Sequence, residues 1–462
     1  MRSSALPDDA AKSLIAQIIA AIFGLRDDKN SDIIKDAAQT LLVAFSPQLR
    51  TISLNIVLDL LGHPLLAAQE FGGNILLHHE TPADALPVGM ISSLLSSEFA
   101  EMRGIGIRLF GQLPEEKLLQ QEKLLIDFST HELADVRNAS RPVIQRLQQH
   151  HAFANDLAAL FVELLLQREI HDGIHTHLVT LLKEDLGKEW QAGIDKDKVM
   201  QMLQTRSVVA QDFAGWLIGQ KVKAEKIFAA SFATRDIIKL SRHEIVSVRQ
   251  ASQTIFVAII NRFQANNDGA ASEMMQAVQL LETKWDDART FYFQAFREHF
   301  TAADLTPAAL VAICDSVRAD VQSFGRELIT KYFAEADGQE YLLKLSEHPA
   351  ADLQLFATNY LERYAANNIE RLRILQPYFV SVLSRVNRAR VAKDRVLKFL
   401  ATEAGKSNEA AKIVAEILTR QSVTMAIGDK ARTIETILSI HQQFPTIDVP
   451  LQLQPVEVRH AI

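Results

Sequence analysis

The chain has 462 residues, 49 Lys+Arg against 56 Asp+Glu, a formal net charge of -7 and one cysteine. Hydrophobic residues at 48% and charged residues at 23% exclude general disorder, and one cysteine excludes a disulfide framework or a thiolate-rich zinc site. Its 18 glycines are near 4% of the chain, below the usual roughly 7%, which disfavours folds built on many tight turns and phosphate loops.

The first predicted element is an apolar run from Leu14 to Leu25, interrupted by Gln17. A spanning helix needs roughly 20 such residues, and the stretch ahead of the run is acidic at Asp8 and Asp9. It reads as a buried first helix in a cytoplasmic protein without a membrane segment. From Leu58 onward one phrase recurs: an apolar helix end, a polar turn, an apolar residue followed by Arg or Gln, then a helix opening on a small residue. The fullest copies are Leu125 to Ser140, containing Asp135-Val136-Arg137-Asn138-Ala139, and Ile238 to Ser252, containing Ser247-Val248-Arg249. Others end on Gln69, Arg103 and Arg289 or run through Gln322 and Gln354. The marker positions 69, 103, 137, 249, 289, 322 and 354 are separated by 34, 34, 112, 40, 33 and 32 residues. The long interval holds three degenerate repeats of about 37 residues.

Between the markers, apolar residues fall at three- and four-residue spacing, which predicts amphipathic helices, with no sustained alternation before the end of the chain. Polar turns such as Ser346 to Pro349 are short enough to make neighbouring helices antiparallel. Asp135 stands near the start of a second helix, where its carboxylate offsets free N–H groups. Val136 is expected in the core. Arg137 is expected on the opposite side, reaching an acid in the adjacent turn as an exposed link of roughly 0–1 kcal/mol. Gly104, Ala139, Ala251, Gly325 and Ala357 are the small residues expected at close helix crossings. The predicted fold is all-α, an α-solenoid of stacked antiparallel helix pairs, about a dozen repeats long.

The turn-Asp-Val-Arg-x-Ala phrase resembles the HEAT family of helical repeats, with armadillo repeats as its nearest relative. Asp135 to Ala139 matches at every marked position, and the resemblance covers about Leu58 to Leu361 with a gap near 150–230. Gln69, Gln322 and Gln354 replace Arg, Ser247 replaces Asp and Glu101 stands in for it, which interrupts a continuous side-chain ladder. The resemblance implies a HEAT/armadillo-like superhelix with Arg103, Asp135, Arg137, Arg249 and Arg289 as its framework. It also implies a scaffold that binds protein along its concave surface.

The organisation that follows is N-terminal capping helices over 1–57, repeats over 58–364 with degeneracy at 150–230, repeat helices over 365–443 and an extended tail over 444–462. Gly173 and Gly187 disturb the helical phase in the degenerate stretch, and the wholly charged Asp195 to Lys198 reads as a linker. Ala265 to Ala271 reads as a surface loop.

Residue types able to do chemistry stand in contexts that suit plainer roles. His78-His79 and His150-His151 point in different directions on a helix, and His171, His175 and His177 lack a metal-binding phrase, so no metal is expected. His131, His243 and His348 fall in matching turns, where a capping role is expected. Cys314 follows the apolar Leu310 to Ile313 and belongs in a core. No phosphate loop or nucleophile elbow occurs, so no catalytic residue and no cofactor is expected. One basic run stands out: Arg385, Arg388, Arg390, Lys393, Arg395 and Lys398, interrupted by Asp394. Arg385, Arg388, Arg395 and Lys398 are its candidate contacts to phosphate or an acidic partner. The sequence therefore points to a non-catalytic protein-binding scaffold of unknown oligomeric state. The alternative is a nucleic-acid-binding protein, even one resembling the bacterial DNA glycosylases built from HEAT-like repeats, with Trp285 beside Asp286 and Asp287.

Overall fold

The structure is a computed structural model that describes residues 7–87, 89–384, 390–423 and 427–449. Among these residues there are helices, turns and loops and no strand. The chain divides into two compact units, Met1–Ala224 and Glu225–Ile462.

The first unit opens with α1 (Asp8–Gly24) and α2 (Ser31–Ala44). Helix pairs follow: α3 (Leu54–Leu61) with α4 (Leu66–Leu77), α5 (Met90–Leu95) with α6 (Ala100–Gly111), and α7 (Glu122–Ser129) with α8 (Ala134–Leu147). Two more pairs fill the degenerate stretch, α9 (His151–Leu166) with α10 (Ile174–Thr180) and α11 (Lys196–Met202) with α12 (Val208–Ala224). Second helices also pack on second helices, α4 on α6 and α6 on α8.

The second unit repeats the arrangement. Helix α13 (Thr234–Ser241) pairs with α14 (Val246–Ala258). Helix α15 (Ala270–Ala277) runs into a 3₁₀ turn, Val278–Glu282, that packs on α16 (Asp286–His299). Then come α17 (Pro307–Cys314) with α18 (Ala319–Tyr332), and α19 (Gly338–Glu347) with α20 (Ala351–Thr358). Helices α21 (Gln376–Leu383), α22 (Arg390–Ala404), α23 (Asn408–Ser422) and α24 (Ile427–Gln443) complete it, each packed on the next. The predicted stacked helix pairs are what each unit shows.

Apolar spacing explains the packing. Helices α7 and α8 pack together, with Leu125 and Phe128 of the first and Val136, Ile144 and Leu147 of the second all buried. Phe128 also meets Phe110 of α6 edge to face at 5.4 Å, which carries the core from one pair to the next. Each such side chain stabilises by roughly 1.5–3 kcal/mol on burial, so apolar stacking outweighs any polar link between repeats.

The close crossings sit at a register the sequence placed only in part. A Cβ on Gly106 would lie 3.0 Å from Leu94 Cβ and 3.1 Å from the Leu95 nitrogen. One on Gly325 would lie 2.6 Å from Cys314 Sγ and 2.9 Å from the Cys314 nitrogen. Both glycines stand three residues past the Arg or Gln marker, as do Ser140, Ser252 and Ala357. Gly104 was expected at a crossing and faces open space instead; its neighbour two residues on does that work.

The charged stretch at Asp195 is no linker. Asp195 caps α11, its carboxylate accepting the Lys198 N–H at 2.8 Å, and Lys198 pairs with Glu163 of α9 at 2.5 Å. The loop after Gln264 ends at Gly269, whose φ of 78° admits α15.

Candidate functional site

The polar residues of the repeats converge on the turns. In each clear copy, the marker side chain folds back onto its own turn and donates to the carbonyl six residues earlier. Arg103 Nη1 donates to Ser97 O and Glu98 O, both at 2.9 Å. Arg249 Nη1 donates to His243 O at 3.0 Å and Glu244 O at 2.8 Å. Arg137 and Arg289 do the same to His131 and Thr283. Gln69, Gln322 and Gln354 keep this bond, to His63, Ser316 and His348. Glutamine therefore preserves the turn and loses only what lies beyond it.

Beyond the turn, the remaining guanidinium N–H groups reach forward to the next one. Arg249 holds both carboxylate oxygens of Asp287, with Nη2 to Oδ2 at 2.8 Å, and Arg289 reaches Asp320 at 2.6 Å. Arg103 meets Asp135 at 3.4 Å. Arg137 departs from the expectation of an acid: its Nη2 donates to the backbone carbonyl of Asp172 at 3.2 Å. Nor are these exposed links. The Arg249 side chain is 5% exposed against 44% for Asp287, so the cation is enclosed and the anion keeps water. Partial burial works to raise the Asp287 carboxyl, yet the Arg249 guanidinium and the Ala288 N–H overcome it and hold it below its ordinary range.

The histidines complete these turns. His63, His131, His243 and His348 each accept, at Nδ1, the backbone N–H two residues on, at 3.0–3.2 Å. Ser97 and Ser316 accept through their hydroxyls in the same place. His79 caps its own turn and its Nε2 meets Ile52 O at 2.8 Å. His150 pairs with Glu115. Among the described residues no three His, Cys, Asp or Glu side chains gather to hold a metal ion. Cys314 is fully enclosed, and burial pushes its thiol up to about 12.

Trp285, Asp286 and Asp287 are likewise engaged in structure. The Arg249 guanidinium lies over the Trp285 ring at 4.3 Å, and the indole N–H donates to Arg242 O at 3.2 Å. Asp286 pairs with Arg289, and Asp287 with Arg249. Of the basic run, Arg385 and Arg388 lie outside the described residues. Arg395 is exposed and donates to Thr358 Oγ1 at 3.1 Å and Asn359 Oδ1 at 2.7 Å. Lys398 is exposed, in a groove it shares with Arg432 and Gln443 of α24. Lys393 is buried.

Two features escaped the sequence reading. Gln211 is a marker inside the degenerate stretch, donating to Thr205 O six residues earlier at 2.6 Å, but Val209 stands where the phrase has Asp and glutamine replaces its Arg. A π-turn, Leu181–Asp185, extends α10 and brings Asp185 under Arg141 of α8. Asp185 is almost fully buried, with Arg141 Nε at 2.5 Å and Gln145 Nε2 at 2.7 Å, while Glu184 also pairs with Arg141. His177 is buried beside them, and its Nε2 has no hydrogen-bond partner. Burial, reinforced by Arg137 and Arg141, pushes its pKa down to about 4, so the ring is neutral at pH 7.

No helix among the described residues is long and apolar enough to cross a membrane. No protein-family model matches the sequence. No curated protein matches it. Among known structures the chain is similar to an engineered protein at 13% identity, covering 95% of this chain and 99% of that one, with a TM-score of 0.28. It is similar to the AP-3 complex in an intermediate open conformation, at 11% identity over 96% and 86% of the two chains, with a TM-score of 0.36. Importin beta is similar at 12% identity over 95% of this chain and 61% of its own, with a TM-score of 0.33. Similarity at this level carries no functional assignment.

Proposed function

We propose that this chain is a HEAT-like, non-catalytic scaffold that binds a protein partner along exposed faces of its stacked helices. One observation carries the reading. The side chains with chemical potential, from the turn histidines and Cys314 to the Arg–Asp links, are occupied in holding turns and crossings, whereas the second-helix faces remain open. On α14, Val246 and Val257 are about half exposed, with Gln250 exposed between them. Mixed apolar and polar faces of this kind suit protein contact, where a few buried anchors within a polar rim supply most of the affinity. Stacked repeats provide such faces in series without needing a catalytic pocket.

The proposal includes a cytoplasmic setting, supported by a single, buried cysteine. Tagged protein purified from a native lysate after cross-linking tests it. A stoichiometric protein partner is expected, with cross-links from exposed lysines. Recovery of the chain alone contradicts the proposal.

A further inference from the structure

We propose that the cleft between two successive turns of the first unit, around Arg168 and Arg206, is a docking site for an acidic peptide segment of a partner protein. The inference rests on the scaffold reading and specifies where and with what charge it operates.

The cleft has a volume of about 630 Å³ and lies between the turn that follows α9 and the turn that precedes α12. Its polar lining includes Gln167, Arg168 and Glu169 from the first turn, with Gln204, Arg206 and Ser207 from the second. Both arginines are exposed, and neither has an ion pair among the described residues. Each turn is held in place by groups other than these. His175 Nδ1 meets Ser207 Oγ at 2.7 Å across the cleft floor, and Glu169 Oε1 accepts the His175 backbone N–H at 2.9 Å. Gln211 fastens the second turn through Thr205 O.

Comparison with the other repeats shows what is different here. An acid stands two residues before the marker at Asp135, Asp287 and Asp320, and each receives an arginine from the preceding repeat. The equivalent residue before Gln211 is Val209, and the rung is a neutral His175–Ser207 contact. Five residues before the marker, three other turns carry Glu98, Glu132 and Glu244, and a fourth carries Lys284, which pairs with Glu244 at 3.8 Å; this one carries Arg206. The turn thus carries a cation with no ion pair among the described residues, and Arg168 adds a second across the gap. A carboxylate supplied from outside gives each arginine the ion pair it lacks among the described residues. Arginine suits that role because its planar fork binds a carboxylate through two parallel bonds.

Gln167 and Gln204 offer side-chain amides, which both donate and accept, to the backbone of an extended segment. Glu169 places an acid in the cleft lining, which disfavours a compact dianion such as inorganic phosphate. An extended peptide can place its carboxylates at the two arginines and keep them apart from Glu169.

Fluorescence polarisation of the full chain with a labelled peptide of alternating Glu and Gly tests the proposal, with the Gln-for-Glu peptide and inorganic phosphate as comparison arms. The Glu peptide is expected to bind at low salt and to weaken steeply as salt rises. Arg168→Glu with Arg206→Glu is expected to weaken it by roughly tenfold or more. Lys35→Glu with Lys123→Glu, an equal charge change at exposed sites elsewhere, is expected to leave binding within about twofold. Arg168→Gln with Arg206→Gln gives the same reading should the double reversal fail to fold. Equal losses from the two reversals, binding of the Gln peptide as tight as the Glu peptide, displacement by phosphate at equal concentration, or no binding at all would each overturn the proposal. If the peptide fails while native purification still yields a stoichiometric partner, the docking site is wrong and the scaffold reading survives.

Discussion

Replacing Arg249 separates the two jobs of a repeat marker. Its guanidinium bonds two carbonyls of its own turn, holds both oxygens of Asp287 and covers Trp285 at 4.3 Å, with only 5% of the side chain exposed. Arg249→Ala removes all of these and leaves part-buried carbonyls unsatisfied, an expected loss of about 3 kcal/mol. Arg249→Gln retains the bond to His243 O, as the native glutamines do, and loses the forward link. Because Asp287 is 44% exposed and keeps water, that loss is smaller, about 1–2 kcal/mol. Asp287→Ala is expected to cost about 1 kcal/mol, and the double variant Arg249→Gln with Asp287→Ala little more than Arg249→Gln alone. Urea titration followed by circular dichroism ranks the variants. Hydrogen exchange across α13, α14 and α16 localises the effect, since a repeat array need not unfold in one step. The reasoning is refuted if Arg249→Gln or Asp287→Ala is as damaging as Arg249→Ala.

Three further outcomes follow from other positions. Gly325→Ala forces a methyl against Cys314 and is expected to cost about 1–3 kcal/mol, with only partial relief from Cys314→Ala because the Cys314 nitrogen also lies 2.9 Å away; thermal melts of the single and double variants check this. His177 should make the fold acid-sensitive. Its folded pKa of about 4 lies below the unfolded value near 6.5, so its contribution is intact above roughly pH 6.5 and is lost as pH falls towards 4, up to about 3 kcal/mol. His177→Leu should flatten that part of a urea-stability profile relative to the native chain, and an unchanged slope would refute the assignment. Asp195→Ala removes the cap of α11 at an expected cost of about 1 kcal/mol, read as faster hydrogen exchange at Lys198.

The stacked helix pairs were legible because burial imposes a three-and-four spacing that survives substitution, and because the Arg marker must fold onto its own turn wherever it stands. Other features depend on geometry between repeats, which sequence spacing does not encode. The crossing at Gly106 rather than Gly104 is decided by where α5 lies against α6. Arg137 meets a carbonyl because the next turn presents Asp172 backbone where a carboxylate was expected. Gln211 was hidden because glutamine is common on helices and only its bond to Thr205 O marks it. Asp185 became a buried ion partner through a π-turn, which no local pattern in Leu181 to Asp185 announces. For the candidate contacts, the basic run was legible as a charge pattern, but the hydrogen bonds of Arg395 to Thr358 and Asn359 and the groove beside Lys398 were not.

Native mass spectrometry of the full chain, purified with its cross-linked partners, tests the central claim most directly. The account predicts one dominant complex of fixed stoichiometry whose cross-links fall on exposed helix faces and turns. A chain that runs alone at every concentration, or turnover of a small molecule by the isolated chain, contradicts it.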